Sequence, residues 1–209
     1  MAKIQKYYQR GRHPKGFWGK RALKAMNGKE HSALPEWTLD KLDLSKNSRI
    51  LDVGCGGGAN VKRLLKLCPE GRVTGLDHSQ VAIDLTTELN YPAIKDGYCV
   101  IVGGNAIQMP LAREIFDVVT AFETIYFWPS LDSGLAEIHR VLKPGGMAVI
   151  ANELDGLNPG DDELARAVGG MRVYTPDEIK QSLTGAGFNA INVHQDESRH
   201  YICITAEKA

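Results

Sequence analysis

From residue 49 onward, short apolar runs alternate with stretches whose apolar residues recur every three or four positions. The runs read as strands at Arg49–Val53, Arg72–Asp77, Tyr98–Val102, Phe116–Phe122, Gly146–Asn152, Phe188–His194 and His200–Ala206. Several are nearly unbroken in Val, Ile, Leu or Cys, the pattern of strands buried on both faces by helices. Strands alternating with helices predict an α/β fold on a mostly parallel sheet.

The helices carry their own punctuation. Val61, Leu64, Leu65 and Cys68 share one face of a helix predicted over Ala59–Cys68, and Pro69 stops it. Ser79 stands as the cap of a helix running to about Asn90, where Tyr91-Pro92 ends it. Leu131, Leu135, Ile138 and Leu142 form a further stripe, closed by Lys143-Pro144-Gly145-Gly146. Thr175-Pro176-Asp177-Glu178 combines an N-cap threonine, a proline at the first helical position and a capping-box glutamate. The last two strands lie too close in sequence for a parallel crossover, so they form an antiparallel hairpin. Residues 1–45 show no strand pattern and read as a basic, partly helical extension broken at Gly11, Pro14, Gly28 and Pro35; residues 46–209 read as one domain.

A chain of 209 residues that is 43% hydrophobic can bury a core without a disulfide framework or a structural metal. Cys55, Cys68, Cys99 and Cys203 form no C-x-x-C pair, which predicts reduced thiols in a cytoplasmic protein. Neither a secretory signal pattern nor an apolar stretch of about 20 residues occurs, so neither secretion nor membrane spanning is expected. The net charge of zero hides an asymmetry: residues 1–30 hold nine Lys and Arg against one acid, Glu30, and the remainder carries the opposite charge. Such a leader suits a nucleic-acid arm, with RNA as the candidate partner, a membrane-surface arm, or a lid packed on an acidic body.

The chemistry gathers at the end of the first strand. Leu51-Asp52-Val53-Gly54-Cys55-Gly56-Gly57-Gly58-Ala59 holds more glycine than a turn requires, which fits a backbone that approaches a ligand closely. Gly54-x-Gly56-x-x-Ala59 satisfies the dinucleotide fingerprint, with Asp77 at the end of the second strand as its acid. Asp52, two residues before the first glycine, favours a ligand with a cationic end, because a buried acid there would repel a pyrophosphate.

Asp52–Gly58, Asp77, Gly104–Pro110, Phe116–Val119 and Arg140–Gly146 together resemble, in order and spacing, the successive motifs of class I S-adenosylmethionine-dependent methyltransferases, and among them the small-molecule enzymes of the type 11 branch. The resemblance implies a Rossmann-like, doubly wound seven-stranded sheet in the order 3-2-1-4-5-7-6 with strand 7 antiparallel. It implies that Asp52 helps hold the cofactor's amino group, directly or through water. The backbone of Gly54, Cys55 and Gly56 would border the methionine and ribose, and Asp77 would accept from both ribose hydroxyls. Asn105 stands where the family usually has Asp, facing the adenine amine, an uncharged but competent acceptor. Ala106 and Ile107 would line the adenine by backbone N–H and apolar contact, His78 would lie against its face, and Phe122 would belong to the same wall.

Phe122-Glu123-Thr124-Ile125-Tyr126-Phe127-Trp128-Pro129 follows the fourth strand, at the sheet edge where open α/β folds bind ligands. Its rings can build a dry pocket and contact a cation, and an acid among them needs a partner or a raised pKa. Glu123, Tyr126 and His31 are the candidate catalytic residues, Glu123 as a ligand of the cofactor's amino group, a holder of a cationic acceptor, or a base. The expected activity is transfer of a methyl group from S-adenosylmethionine to a small-molecule O, N, S or C atom by in-line displacement. The alternatives are an NAD(P)- or flavin-dependent oxidoreductase using the same loop, and a binding module without an acceptor. No zinc-ligand set and no N-P-P-Y nucleobase motif occurs, which disfavours DNA amino-methylation.

Overall fold

The structure, a computed structural model, describes residues 8–9, 14, 16–28 and 32–209. Among the described residues, α1 (Gly16–Met26) and α2 (Ala33–Leu39) precede the sheet, beyond the helical residues 8–9. Then follow β1 (Arg49–Val53), α3 (Ala59–Leu67), β2 (Arg72–Asp77), α4 (Gln80–Lys95), β3 (Cys99–Gly103) and β4 (Phe116–Phe122). A 3-10 turn (Ile125–Phe127) leads to α5 (Leu131–Val141), β5 (Leu142–Asn152), α6 (Pro159–Val168), α7 (Pro176–Gly185), β6 (Phe188–Asp196) and β7 (Tyr201–Lys208).

The seven strands form one sheet in the order β3-β2-β1-β4-β5-β7-β6. All pairs are parallel except those of β7, which runs antiparallel to both β5 and β6. Order, direction and hairpin agree with the sequence reading. Helices cover both faces, which is why the central strands need apolar residues on both sides. Leu51 and Val53 of β1 point into the layer filled by Leu135, Ile138, Ile179 and Leu183 of α5 and α7. Ile50 points into the other layer, with Leu34, Val61 and Leu64 of α2 and α3.

Local differences have local causes. The helix after Ser79 does not stop at Asn90: it kinks there (φ −108°, ψ 15°) and continues through Pro92 to Lys95, the bend taking the proline ring away from the carbonyl it would strike. The buried Asn90 amide ties that kink to Gly58 O at 3.2 Å and to Thr86 O at 3.0 Å. Ser79 is the N-cap residue, yet its side chain makes no capping bond; its hydroxyl donates to Pro14 O at 3.3 Å instead. Pro35 does not break the chain but sits in the first turn of α2, where its missing N–H has no helical partner to lose. β5 starts at Leu142, which pairs with Phe116 ahead of a register shift, so the Pro144-Gly145-Gly146 stretch lies inside a strand rather than before it. The expected break at Gly11 lies outside the described residues.

Candidate active site

β1 and β2 are neighbours, and each ends in a carboxylate. The loop after β1 turns through Gly54 (φ 75°), Gly56 (φ 53°) and Gly58 (φ 83°), a left-handed backbone that favours glycine. A Cβ built on Gly54 would stand 2.2 Å from Thr124 Oγ1, so the first glycine is where this loop meets the segment after β4.

The loop engages its own donors. Gly54 and Cys55 N–H donate to Leu76 O at 2.7 and 3.0 Å, and Gly58 N–H donates to Cys55 O at 2.9 Å. Gly56 N–H donates to Asp77 Oδ2 at 3.0 Å, while Asp77 Oδ1 accepts from Ser79 N–H at 2.9 Å. Four loop amides therefore face protein acceptors and do not form the cradle of free donors that a pyrophosphate needs.

A cavity of about 300 Å³ opens at the carboxyl ends of β1, β2 and β4. Of the residues expected there, Gly54, Gly56, Asp77, His78, Asn105, Ala106, Phe122 and Glu123 line it. Asp52, Cys55, Ile107 and Tyr126 do not. Asp52 is buried behind the loop, accepting from Thr120 Oγ1 at 2.8 Å. Burial lifts its carboxyl to about 7, the Thr120 hydrogen bond pulls against that, and the Asp77 charge adds a smaller push. The Cys55 thiol lies 3.8 Å from Thr86 Oγ1, and burial, followed by the charges of Asp77 and Asp52, pushes its pKa well up. Ile107 N–H donates to Asn105 Oδ1 at 3.1 Å, so the amide expected at an adenine is already engaged. His78 Nδ1 stands 3.7 Å from Asp77 Oδ1 on a half-exposed ring. His31 lies outside the described residues.

The far wall is aromatic and acidic. Phe127, Trp128 and Pro129 line it, with the Trp128 indole N–H donating to Thr124 Oγ1 at 3.2 Å. Glu123 sits in left-handed backbone (φ 58°), which is uncommon away from glycine. Tyr126 Oη donates to Glu123 Oε1 at 3.0 Å, Tyr8 Oη donates to Oε2 at 3.3 Å, and Glu153 N–H donates to Oε1. Leu154 N–H donates to Tyr126 Oη at 2.9 Å, fixing that hydroxyl. Burial and then the Glu153 charge raise the Glu123 carboxyl to about 8, against the pull of its three donors. Burial first, then the Glu123 charge, pushes the Tyr126 hydroxyl well up. Tyr126 is 1% exposed, and its hydroxyl reaches Glu123 rather than the wall of this cavity.

Three contributors from the leader were not singled out in the sequence. Tyr8 and Leu23 line the cavity, and Asn27 Nδ2 donates to Gly57 O at 2.7 Å, holding the glycine loop from outside. Leu23 packs with Ala82 and Leu85 of α4. Lys20 and Lys24 of α1 reach Glu88 of α4 at 3.0 and 3.8 Å. No apolar periodicity marks Tyr8, so only its aromatic type in a basic segment could have drawn attention. A smaller cavity of about 90 Å³ beside the loop shares Glu123 and adds Arg63 and Glu153. Among the described residues, no group of three or more His, Cys, Asp or Glu is placed to hold a metal ion.

Comparison with known proteins bears on the family and the fold. The family model described as Methyltransferase domain matches residues 51–150. Sterol 24-C-methyltransferase erg-4 of Neurospora crassa is 30% identical over 168 residues, 75% of this chain and 43% of that protein. The 27-O-demethylrifamycin SV methyltransferase of Amycolatopsis mediterranei is 30% identical over 152 residues, 70% of this chain and 56% of that one. The chain thus spans about half the length of these curated relatives. Among solved structures, geranyl diphosphate C-methyltransferase of Streptomyces coelicolor A3(2), in complex with Mg²⁺, geranyl diphosphate and S-adenosyl-L-homocysteine, superposes with a TM-score of 0.76 at 16% identity, covering 94% of this chain and 86% of that one.

Proposed function

The chain belongs to the class I S-adenosylmethionine-dependent methyltransferases, and on that premise we propose that its cavity binds S-adenosylmethionine and directs the methyl group onto a small-molecule acceptor. The observation that carries this reading is the Asp77 carboxylate, fixed by two backbone amides at the cavity wall beside a glycine loop whose Gly54, Cys55 and Gly58 amides are engaged. The cavity wall carries Asp77 and Glu123 and, among the described residues, no Lys or Arg. An acidic, cation-free wall fits a ligand with sulfonium and ammonium charges and opposes a pyrophosphate. The relatives named above are methyltransferases, and the oxidoreductase alternative draws no support from them.

S-adenosylmethionine supplies an activated methyl group on a good leaving group, so the protein's part is to bind, align and keep water out. Asp77 offers each oxygen's remaining lone pair to the ribose hydroxyls. Asn105 and Ala106 face the adenine from the β3 side, with Leu76 and Ala82 as apolar wall. His78 stands beside Asp77. Asp52 lies too deep for direct contact; it sets the negative potential beneath the loop, and any contact with the amino group runs through water. Phe127, Trp128 and Pro129 with Tyr8 shape the acceptor side of the same cavity, an aromatic wall that suits a small molecule.

The basic leader reads as a lid rather than an RNA arm where it is described, since Lys20 and Lys24 are turned onto Glu88. The described part of the leader is read as a cap on the domain of residues 46–209. A cytoplasmic setting belongs to the same reading, supported by four free, buried cysteines; among the described residues, no helix is long and apolar enough to cross a membrane. Thermal shift with S-adenosylhomocysteine, S-adenosylmethionine, NADH and FAD tests the proposal. Only a ligand that prefers the native state raises the midpoint. A rise with the two adenosyl sulfur compounds alone is expected, and a rise with NADH or FAD alone would reverse the assignment.

A further inference from the structure

Glu123 occupies an unusual position. It lines both cavities, and its neighbour Thr124 is packed against the first loop glycine, which places the acid beside the loop rather than at a remote rim. Its left-handed backbone is held by the bonds that converge on its carboxylate: two tyrosine hydroxyls and the Glu153 amide. Strain of this kind, retained at a ligand-facing position, marks a functional site.

Two sets of forces on this carboxyl oppose each other, and burial outweighs the donors. Three donors favour the anion, while burial and the nearby Glu153 favour the neutral acid. Of the other groups around it, Arg63 lines the smaller cavity, Asp77 and His78 stand on the wall of the larger one, and the Tyr201 hydroxyl on β7 interacts with the Glu123 charge. An acid kept neutral by burial, yet supplied with three donors for its anion at a cavity wall, is one that a positive charge entering the cavity ionises.

Resting on the proposed function, we infer that Glu123 is the site's exchangeable counter-charge: it gives up its proton when a sulfonium enters the cavity and takes the acceptor's proton as the methyl group leaves. In the transfer, a lone pair of the acceptor atom forms the bond to the methyl carbon, the S–C bond breaks, and its electron pair remains on sulfur. The proton carried by the acceptor passes to the Glu123 carboxylate. Cation plus carboxylate becomes neutral thioether plus neutral acid, so the combined charge of cofactor and Glu123 does not change across the reaction. Tyr8 and Tyr126 are positioning residues that hold the carboxylate, and Tyr8 makes the state of this acid depend on the leader being in place. The same device favours release of the product, because the neutral acid has no charge with which to retain a neutral sulfur.

The test needs no acceptor. Titration calorimetry at pH 7 in phosphate and in Tris, whose ionisation heats differ, counts protons released when S-adenosylmethionine or S-adenosylhomocysteine binds. The whole protein is expected to release up to one proton more with S-adenosylmethionine than with S-adenosylhomocysteine. In Glu123→Gln the difference should vanish, S-adenosylmethionine should bind at least tenfold more weakly, and S-adenosylhomocysteine affinity should stay within about twofold. Tyr126→Phe removes one donor to the anion and should move the midpoint of the excess proton release to higher pH, which a merely structural tyrosine would not do. Equal proton counts for the two ligands in the unaltered protein, or a difference that survives in Glu123→Gln, would overturn the inference. Absence of binding by either ligand would instead strike the proposed function on which it rests.

Discussion

Asp77 holds the amides of Gly56 and Ser79 with one carboxylate oxygen each, which leaves every oxygen a second lone pair for a ligand. Hydrogen bonds to a charged group contribute about 1.5–3 kcal/mol each. Asp77→Ala should therefore weaken S-adenosylhomocysteine binding by ten- to a hundredfold or more, read by calorimetry; unchanged affinity would remove the ribose role. Gly54 is restricted in a different way. It combines a left-handed φ of 75° with a hypothetical Cβ only 2.2 Å from Thr124 Oγ1, so alanine there needs both a strained backbone and a displaced Thr124. Because Thr124 also accepts from the Trp128 indole, Gly54→Ala should disturb the glycine loop and the aromatic wall together. Loss of ligand-induced stabilisation in a thermal shift, with the fold retained by circular dichroism, is the expected outcome.

Elements differed in how much of themselves the chain pattern revealed. α7 was fully legible: Thr175 accepts from Glu178 N–H at 3.2 Å and Glu178 Oε2 accepts from Thr175 N–H at 2.9 Å, a capping box readable from four letters. Thr175→Ala should cost about 1 kcal/mol, seen as a lower denaturation midpoint with ligand affinity unchanged. The central strands were legible because unbroken apolar runs have few other uses, and the hairpin because its loop is too short for a crossover. α6 was not recognised, since only Leu164 and Val168 mark its buried face, although Asn158 caps it by accepting from Gly160 N–H. At the site, the loop and its acids were evident as residue types, but Tyr8, Leu23 and Asn27 were not. They act across 115, 59 or more and 30 positions of chain, and no local period reports a contact made at that range. α1 shows what this means for function. Leu23 is 3% exposed between α1 and α4, whereas the exposed Lys20–Glu88 pair carries little stability. Leu23→Ala should loosen α1, raising amide exchange across Gly16–Met26 and weakening S-adenosylhomocysteine binding, while Lys20→Ala should do neither.

Across the whole molecule, four adjacent strands in the order β2-β1-β4-β5 deliver acids at their carboxyl ends: Asp77, Asp52, Glu123 and Glu153. This concentrates carboxyl groups at one edge of a sheet whose helices bury it, and the stability of the fold bears the consequence. The carboxyls of Asp52 and Glu123 stand at about 7 and about 8 in the native state, above their ordinary 3.8 and 4.5. Between the ordinary and the raised values the native protein keeps protons that the unfolded chain has released. Stability then falls as pH rises, by at most ~1.4 kcal/mol per pH unit for each group. Below about pH 4 both states are protonated, and above about pH 8 both are ionised, so these two groups add no slope there. Scanning calorimetry of the unliganded protein should accordingly show a midpoint that declines from pH 5 to pH 8. Asp52→Asn should flatten the part below pH 7, because Thr120 keeps an acceptor while the titrating proton is gone, and Glu123→Gln should flatten the part that extends to pH 8. Saturation with S-adenosylmethionine, a cation, should recover more stability at pH 8 than at pH 6, whereas neutral S-adenosylhomocysteine should add nearly the same at both. A midpoint that rises over this range in the unliganded protein would mean that Asp52 and Glu123 are stabilised as anions by the fold, and that the sheet edge is not poised to receive positive charge.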